Sequence, residues 1–280
     1  MRYSVEIFPP KDGDVRKLAI PFLSAGASHI SLTYGAGGSS RGRSREAALT
    51  LAIGGVPTAA HITIAGQTRE EVDNTLAMWI NTGIRRFVAL RGDGDGPGLP
   101  FTPHSDGYQS SVELIERIHG LGASQIAVAA YPNRHPDDQG GDSDLDYLKR
   151  KIDAGATEVI TQFFFEAEAY LRFRDRYVAA GLDAPLVPGI LPVFNVVKVA
   201  SFAKKCGEPL PRWLISRFAG LDANPEMRQQ IAVATAGRLI DRLRSEGLDR
   251  VHLYSCNDAE LTLAVCRLLA FPEEAGKAAA

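Results

Sequence analysis

Glu6 is an acid inside an otherwise apolar run, Tyr3 to Phe8, followed at once by the rigid Phe8-Pro9-Pro10-Lys11. An acid buried without a full partner favours its neutral form and suits general acid catalysis; paired with a Lys or Arg, it would be structural. Polar groups punctuate the other short apolar runs in the same way. Thr33-Tyr34 precedes a Gly-rich stretch, His61 lies within AHIT, and Arg91-Gly92-Asp93 closes one run. Tyr131-Pro132-Asn133-Arg134-His135 closes another, Gln162 sits in TQFFF, and Tyr254-Ser255-Cys256-Asn257 closes the last. Each has a plainer alternative: His61 as a satisfied core histidine, Asp93 as a turn former among the glycines of RGDGDGPG, Phe163 to Phe165 as core. Arg91 at a run's end is costly unless it meets an anion, and the Gln162 amide can both donate and accept. Groups able to move protons or hydrogen-bond a substrate thus gather where runs end, which indicates an enzyme.

A second cluster, HPDDQGGDSDLDYLKRK, spans His135 to Lys151. Its Arg150 and Lys151 are either part of a solvated helix face or the cations that neutralise a diphosphate. His135 with several carboxylates permits a metal, but no HxH or HExxH spacing supports one, so no metal is expected. Outside such clusters the charge is balanced. Lys plus Arg is 31 and Asp plus Glu is 33, a net charge of −2, which gives no general attraction to nucleic acid or an anionic membrane. No apolar run reaches the roughly 18 residues of a membrane span. The start, MRYSVEIF, is not a signal peptide. Cys206, Cys256 and Cys266 form no CxxC pair, and Cys266 among Leu263, Val265 and Leu268 reads as a buried thiol. A reducing cytoplasm is the expected compartment.

The elements that must hold these residues repeat. A glycine followed within a few residues by a short apolar run occurs at Gly26, Gly55, Gly83, Gly122, Gly155, Gly181 and Gly247, at intervals of 29, 28, 39, 33, 26 and 66. A helix ending at a C′ glycine, a short loop and a strand account for the pattern, and one βα unit needs about 30 residues. With the opening run there are eight expected strands: Tyr3–Phe8, His29–Thr33, Ala59–Ile64, Phe87–Leu90, Gln125–Ala130, Glu158–Phe163, Leu186–Ile190 and Val251–Tyr254. Amphipathic stretches lie between them; one opens at Thr68 with Glu71 three residues on, a capping box. The alternation favours a single-domain (β/α)8 barrel over residues 1–270, with extra helices in the long interval before strand eight and a disordered tail at 271–280. An open doubly wound sheet is the alternative, weakened because no GxGxxG follows the first strand.

Read in order, SVEIFPPK, SLTYGAGG, AHIT, ALRGD, AAYPNRHP, LKRKIDAGA, ITQFFF, PGILPV, FAGLD and YSCN resemble the methylenetetrahydrofolate reductases of bacterial type, from residue 3 to about 268. The resemblance implies a barrel holding FAD non-covalently. Its flavin contacts fall on Thr33, His61, Arg91, Gly92, Asp93, Tyr108, Ala129, Tyr131, His135, Asp144, Tyr147, Arg150 and Lys151; an amide is common where Tyr147 stands. It also implies a ping-pong reaction in which NADH or NADPH reduces the flavin, leaves, and methylenetetrahydrofolate then takes the hydride to become methyltetrahydrofolate. Glu6 matches the general acid that opens the folate's five-membered ring, and Asp93 the acid between flavin and pterin. Gln162 matches the amide that serves both substrates, and Phe202 the aromatic that stacks on them, with Phe163 and Tyr254 completing the substrate side.

The family often carries Arg where this chain has Asp258, so the folate's glutamate tail meets a carboxylate here. The chain closes after the barrel, so inhibition by S-adenosylmethionine is not expected. A homo-oligomer is expected. The competing functions are a flavin barrel of the related proline dehydrogenase type and a flavin- or folate-binding protein without turnover.

Overall fold

The computed structural model describes residues 1–35, 40–92, 101–133 and 143–270; Asp93, His135 and the 271–280 tail lie outside them. Within these, strands and helices alternate: β1 (Arg2–Ile7), α1 (Val15–Ser24), β2 (Ile30–Leu32), α2 (Arg41–Ile53), β3 (Thr58–Thr63), α3 (Arg69–Asn81), β4 (Arg86–Leu90) and α4 (Ser111–Gly120). The second half continues with β5 (Gln125–Ala130), α5 (Ser143–Asp153), β6 (Glu158–Phe163), α6 (Ala167–Ala179) and β7 (Leu186–Ile190). After β7 come α7 (Val196–Lys205), α8 (Arg212–Phe218), α9 (Pro225–Ser245), β8 (Arg250–Tyr254) and α10 (Ala259–Ala270). The strands are parallel and pair in chain order, with β8 returning to β1, so the sheet is a closed (β/α)8 TIM barrel and the open-sheet alternative falls.

The glycine signal has its conformational basis. All seven repeat glycines adopt a positive φ, from +71° at Gly55 to +115° at Gly155, a region that other residues enter at a cost. At Thr68 the capping box forms: its hydroxyl accepts from the Glu71 amide at 3.2 Å, and the Glu71 carboxylate accepts from the Thr68 amide at 2.9 Å. The expected strands β5, β6 and β7 match residue for residue, and β2 is shorter than expected. Its flanks still bond to β1, Val5 to the His29 carbonyl and Thr33 to that of Ile7. The long interval before β8 holds α7, α8 and α9, the extra helices.

Alternation along the strands divides the side chains between two cores. Ile7, Ile30, Ile62, Phe87, Val128, Val159 and Leu253 pack outward against the helices in the main core. Ala59, Val88, Ala127, Ile160 and Val187, one from each of β3 to β7, form a small apolar cluster within the barrel. Polar side chains occupy the rest of the interior: Arg250 meets Glu158 at 3.5 Å near the strand starts, and Arg86 donates to Gln125 at 3.1 Å. A third cluster, built on Phe163, Phe165, Leu191, Val193, Leu214 and Phe218, fills the space between the ends of β6 and β7 and helices α7 to α9. Cys266 is fully buried, as its apolar neighbours imply. No described helix is long and apolar enough to cross a membrane.

Candidate active site

Glu6 reaches the interior near the end of β1, half-buried. Its Oε2 lies 3.7 Å from His61 Nε2 and 3.7 Å from His252 Nε2. Ser31 Oγ sits 2.7 Å from the same His61 nitrogen, and Ser4 Oγ 2.8 Å from His252 Nδ1. Burial drives His61 down to about 4, with His252 adding to the effect and Glu6 opposing it, so the imidazole is neutral near pH 7. Among the described residues no Lys or Arg pairs with Glu6.

The YSCN segment fixes the backbone that carries this acid. Ser255 Oγ donates to the Glu6 carbonyl at 2.5 Å. Asn257 holds Phe8 at both ends, its Oδ1 accepting from the Phe8 amide at 2.8 Å and its Nδ2 donating to the Phe8 carbonyl at 3.0 Å. Asn257 does so from φ +60°, the left-handed region that Asn tolerates better than most residues. Asn257→Ala removes both bonds and leaves a strained position, so a destabilisation of about 2–4 kcal/mol is expected. Thermal unfolding of the variant measures it.

Beside Glu6 stands an aromatic wall. Phe163 stacks on Phe202 at 5.3 Å between centroids and meets Tyr254 edge-on at 6.1 Å. Phe202 is 39% exposed and so presents a ring face. Tyr254 donates its hydroxyl to the Thr161 carbonyl at 2.9 Å, and burial holds that hydroxyl well above its ordinary range. This crossing needs Gly189: a Cβ there would stand 2.2 Å from the Thr161 carbonyl oxygen and 2.5 Å from Tyr254 Cε2. The β6–β7 register shifts between Ile160 and Phe163, where Thr161 Oγ1 accepts from the Gly189 amide at 3.0 Å. Gln162, half-buried next to this wall, accepts from the Phe163 amide at 3.1 Å.

A cationic corner lies on the β3–β5 side. The Lys151 ammonium donates to the Ala129 carbonyl at 3.5 Å and sits 4.9 Å over the Tyr147 ring. Desolvation lowers it to about 8; Asp144 pulls it up and Arg91 pushes it down, which places both within electrostatic reach. Arg150 flanks the Tyr147 ring at 5.5 Å, and the Tyr147 hydroxyl meets Ser111 Oγ at 3.0 Å. Arg91 lies 5.2 Å over Phe101. Gly92, at φ +86°, runs so close to β3 that a Cβ would stand 2.9 Å from that of Thr63. Thr33 Oγ1 is buried with no hydrogen-bond partner. Tyr131, half-buried just beyond β5, contributes to the electrostatics of Tyr254. Tyr108 is set apart in the outer core, its hydroxyl given to Asp73 at 2.7 Å and Arg69 stacked on its ring at 4.3 Å.

Three residues of the Glu6 surroundings, Ser4, Ser31 and His252, escape a reading that looks only at strand ends. Their signal is polar residues at a spacing of two inside apolar strands: Ser4 and Glu6, Ser31 and Thr33, His61 and Thr63, His252 and Tyr254.

Known proteins are similar to this chain over most of its length. The family model for methylenetetrahydrofolate reductase matches residues 1–270. The 5,10-methylenetetrahydrofolate reductase of Pectobacterium carotovorum is 39% identical over 273 residues, covering 95% of this chain and 89% of the relative. That of Escherichia coli K12 is 38% identical over 272 residues, covering 95% and 90%. Among solved structures, a Clostridium thermocellum protein that binds two copies of 5-methyl-5,6,7,8-tetrahydrofolic acid shares the fold with a TM-score of 0.64 at 15% identity, covering 96% of this chain and 95% of its own. A match over nearly every strand and helix of the barrel, at these identities, leaves one assignment: the chain belongs to the methylenetetrahydrofolate reductase family.

Proposed function

We propose that this chain reduces 5,10-methylenetetrahydrofolate to 5-methyltetrahydrofolate with electrons from NAD(P)H, using bound FAD. The observation that carries the reading is Glu6, an acid with no cationic partner among the described residues, beside the Phe163–Phe202–Tyr254 wall. The cationic corner fits an anionic cofactor. Lys151 is desolvated enough to lower its pKa, the orphaned Thr33 hydroxyl lacks a partner, and Gly92 keeps the β4 end free of a side chain. Lys151 and Arg150 would hold the diphosphate, with Asp144, Tyr147, Ala129, Tyr131, His61, Arg91 and Thr33 around the rest. Bound there, FAD supplies the hydride that NAD(P)H has given it. His135 and Asp93 are assigned by family resemblance alone, Asp93 to the gap between flavin and pterin.

The chain's own part is proton handling and orientation. Glu6 gives its proton to the amine nitrogen of the folate's five-membered ring. The carbon–nitrogen bond breaks, the carbon is left as an iminium, and hydride addition turns it into the methyl group. Gln162 hydrogen-bonds each substrate in turn, and the exposed face of Phe202 stacks on the nicotinamide nucleotide or the folate's aminobenzoate ring. Rapid mixing tests the reading: anaerobic NADH should bleach the flavin absorption and methylenetetrahydrofolate should restore it. Failure of the second step removes the reductase assignment.

Asp258 caps α10, accepting from the Leu261 amide at 3.1 Å. The carboxylate that stands where relatives place Arg therefore has a structural role. Asp258→Arg should cost about 0.5–2 kcal/mol through the lost cap. If the missing charge matters for the glutamate tail, it should also tighten folate binding by about threefold to tenfold. Thermal melts and the Michaelis constant for folate, measured together, separate the two effects; unchanged affinity would mean that another residue holds the tail.

A further inference from the structure

One buried acid takes no part in the chemistry above. Glu208, just beyond α7, is 4% exposed. Its Oε2 accepts from Asn133 Nδ2 at 2.8 Å, while its Oε1 is buried with no hydrogen-bond partner. Asn133 lies two residues past Tyr131 at the end of β5. The Glu208 amide donates to the Ala203 carbonyl at 2.9 Å, and the Cys206 amide to that of Phe202 at 3.1 Å. The carboxyl is thereby bound into the last turn of the helix that carries Phe202, the ring stacked on Phe163. Among the described residues no Lys, Arg or His pairs with it. Asn133 faces it from β5, Tyr254 of β8 shares its electrostatic surroundings, and Cys206 does so from its own segment.

We propose that Glu208 is a positioning residue of the site: through Asn133 it holds the end of α7, and with it Phe202, against the end of β5. The kinetic consequence rests on the folate-reducing function proposed above; the structural one does not. Burial pushes the carboxyl up to about 7, with the Asn133 bond pulling the other way. An acid whose folded pKa is raised stabilises the closed arrangement at low pH, and that stability is lost as pH rises through about 7. Above that point Oε1 shares a negative charge with no donor to it among the described residues, which favours arrangements in which α7 swings the carboxylate toward water. The stacking face of Phe202 then shifts with it.

The experiment places 4-fluorophenylalanine at position 202 and follows its fluorine resonance between about pH 5.5 and 8.5. The wild-type resonance should titrate with a midpoint near 7. Glu208→Gln, which keeps an acceptor for Asn133 but cannot ionise, should abolish the titration. Asn133→Ala, which removes the one donor to the carboxylate among the described residues, should move the midpoint up by about one unit. In parallel, the Michaelis constant for methylenetetrahydrofolate should rise about threefold to tenfold across the same range in wild type and stay flat in Glu208→Gln. A titration that persists in Glu208→Gln, or no titration in wild type, overturns the proposal. A fluorine titration as described in a protein that turns over no folate would instead overturn the function proposed above and leave the positioning role standing.

Discussion

Glu6→Gln is expected to leave reduction of the flavin by NADH intact while lowering folate reduction by about 10²–10⁴-fold, the usual worth of a positioned general acid. The amide matches the carboxyl in shape and can still meet the imidazoles of His61 and His252, each 3.7 Å from Oε2. It has no proton to give to the departing amine, so ring opening has to proceed without acid. In the proposed mechanism the first half needs no proton from this side chain, and stopped-flow measurement of the two halves should show the split. Normal folate reduction by the variant would make Glu6 structural, and equal loss in both halves would point to a distorted flavin site.

Lys151→Met should weaken flavin binding by about tenfold to a hundredfold, the worth of one charge-assisted hydrogen bond to a buried anion. Methionine keeps the length of the stem, so the packing against Tyr147 survives and the loss reports the charge. The pH dependence is the sharper signature. A lysine lowered to about 8 is a cost to the empty protein below that pH, and the cost fades between about 8 and 10.5 as the unfolded chain holds the proton longer. An anionic cofactor reverses the balance by favouring the ammonium. Flavin affinity should therefore fall as pH rises above about 8 in wild type and change little in Lys151→Met. Titration of the flavin-free protein, followed by flavin fluorescence, measures both.

The barrel was legible because its signals are local. A glycine in the left-handed region, a short loop and an apolar run declare each βα unit without reference to the rest of the chain, and Gly155 followed by Glu158–Phe163 is read in a dozen residues. Glu6, Gln162 and Tyr254 were legible for a related reason: strand ends in such a fold face one side, so polar residues there converge. Ser4 and His252 were not, because their meaning depends on register. They lie side by side only because β1 pairs with β8, across 248 positions of sequence. Glu208 was hidden differently. In KKCGEPLP it looks like an ordinary loop acid, and only the packing of α7 toward the end of β5 buries it. Asp258, which the family resemblance makes a question of ligand charge, is also a helix cap, which only the path of the chain into α10 makes visible.

The pairing of β1 with β8 also governs when the site can exist during synthesis. Glu6 leaves the ribosome long before the β8 strand that flanks it, the imidazole of His252 and the clamp of Asn257 on Phe8 are made. Until that strand emerges, the β1 edge that meets β8 stays unpaired, and only Ser31 of β2 and His61 of β3 are made beside Glu6. Any stop before residue 250 would remove the β8 side of the Glu6 surroundings while sparing the residue itself. A partly made chain could therefore bury much of its outer core and still lack the β8 side of the Glu6 site.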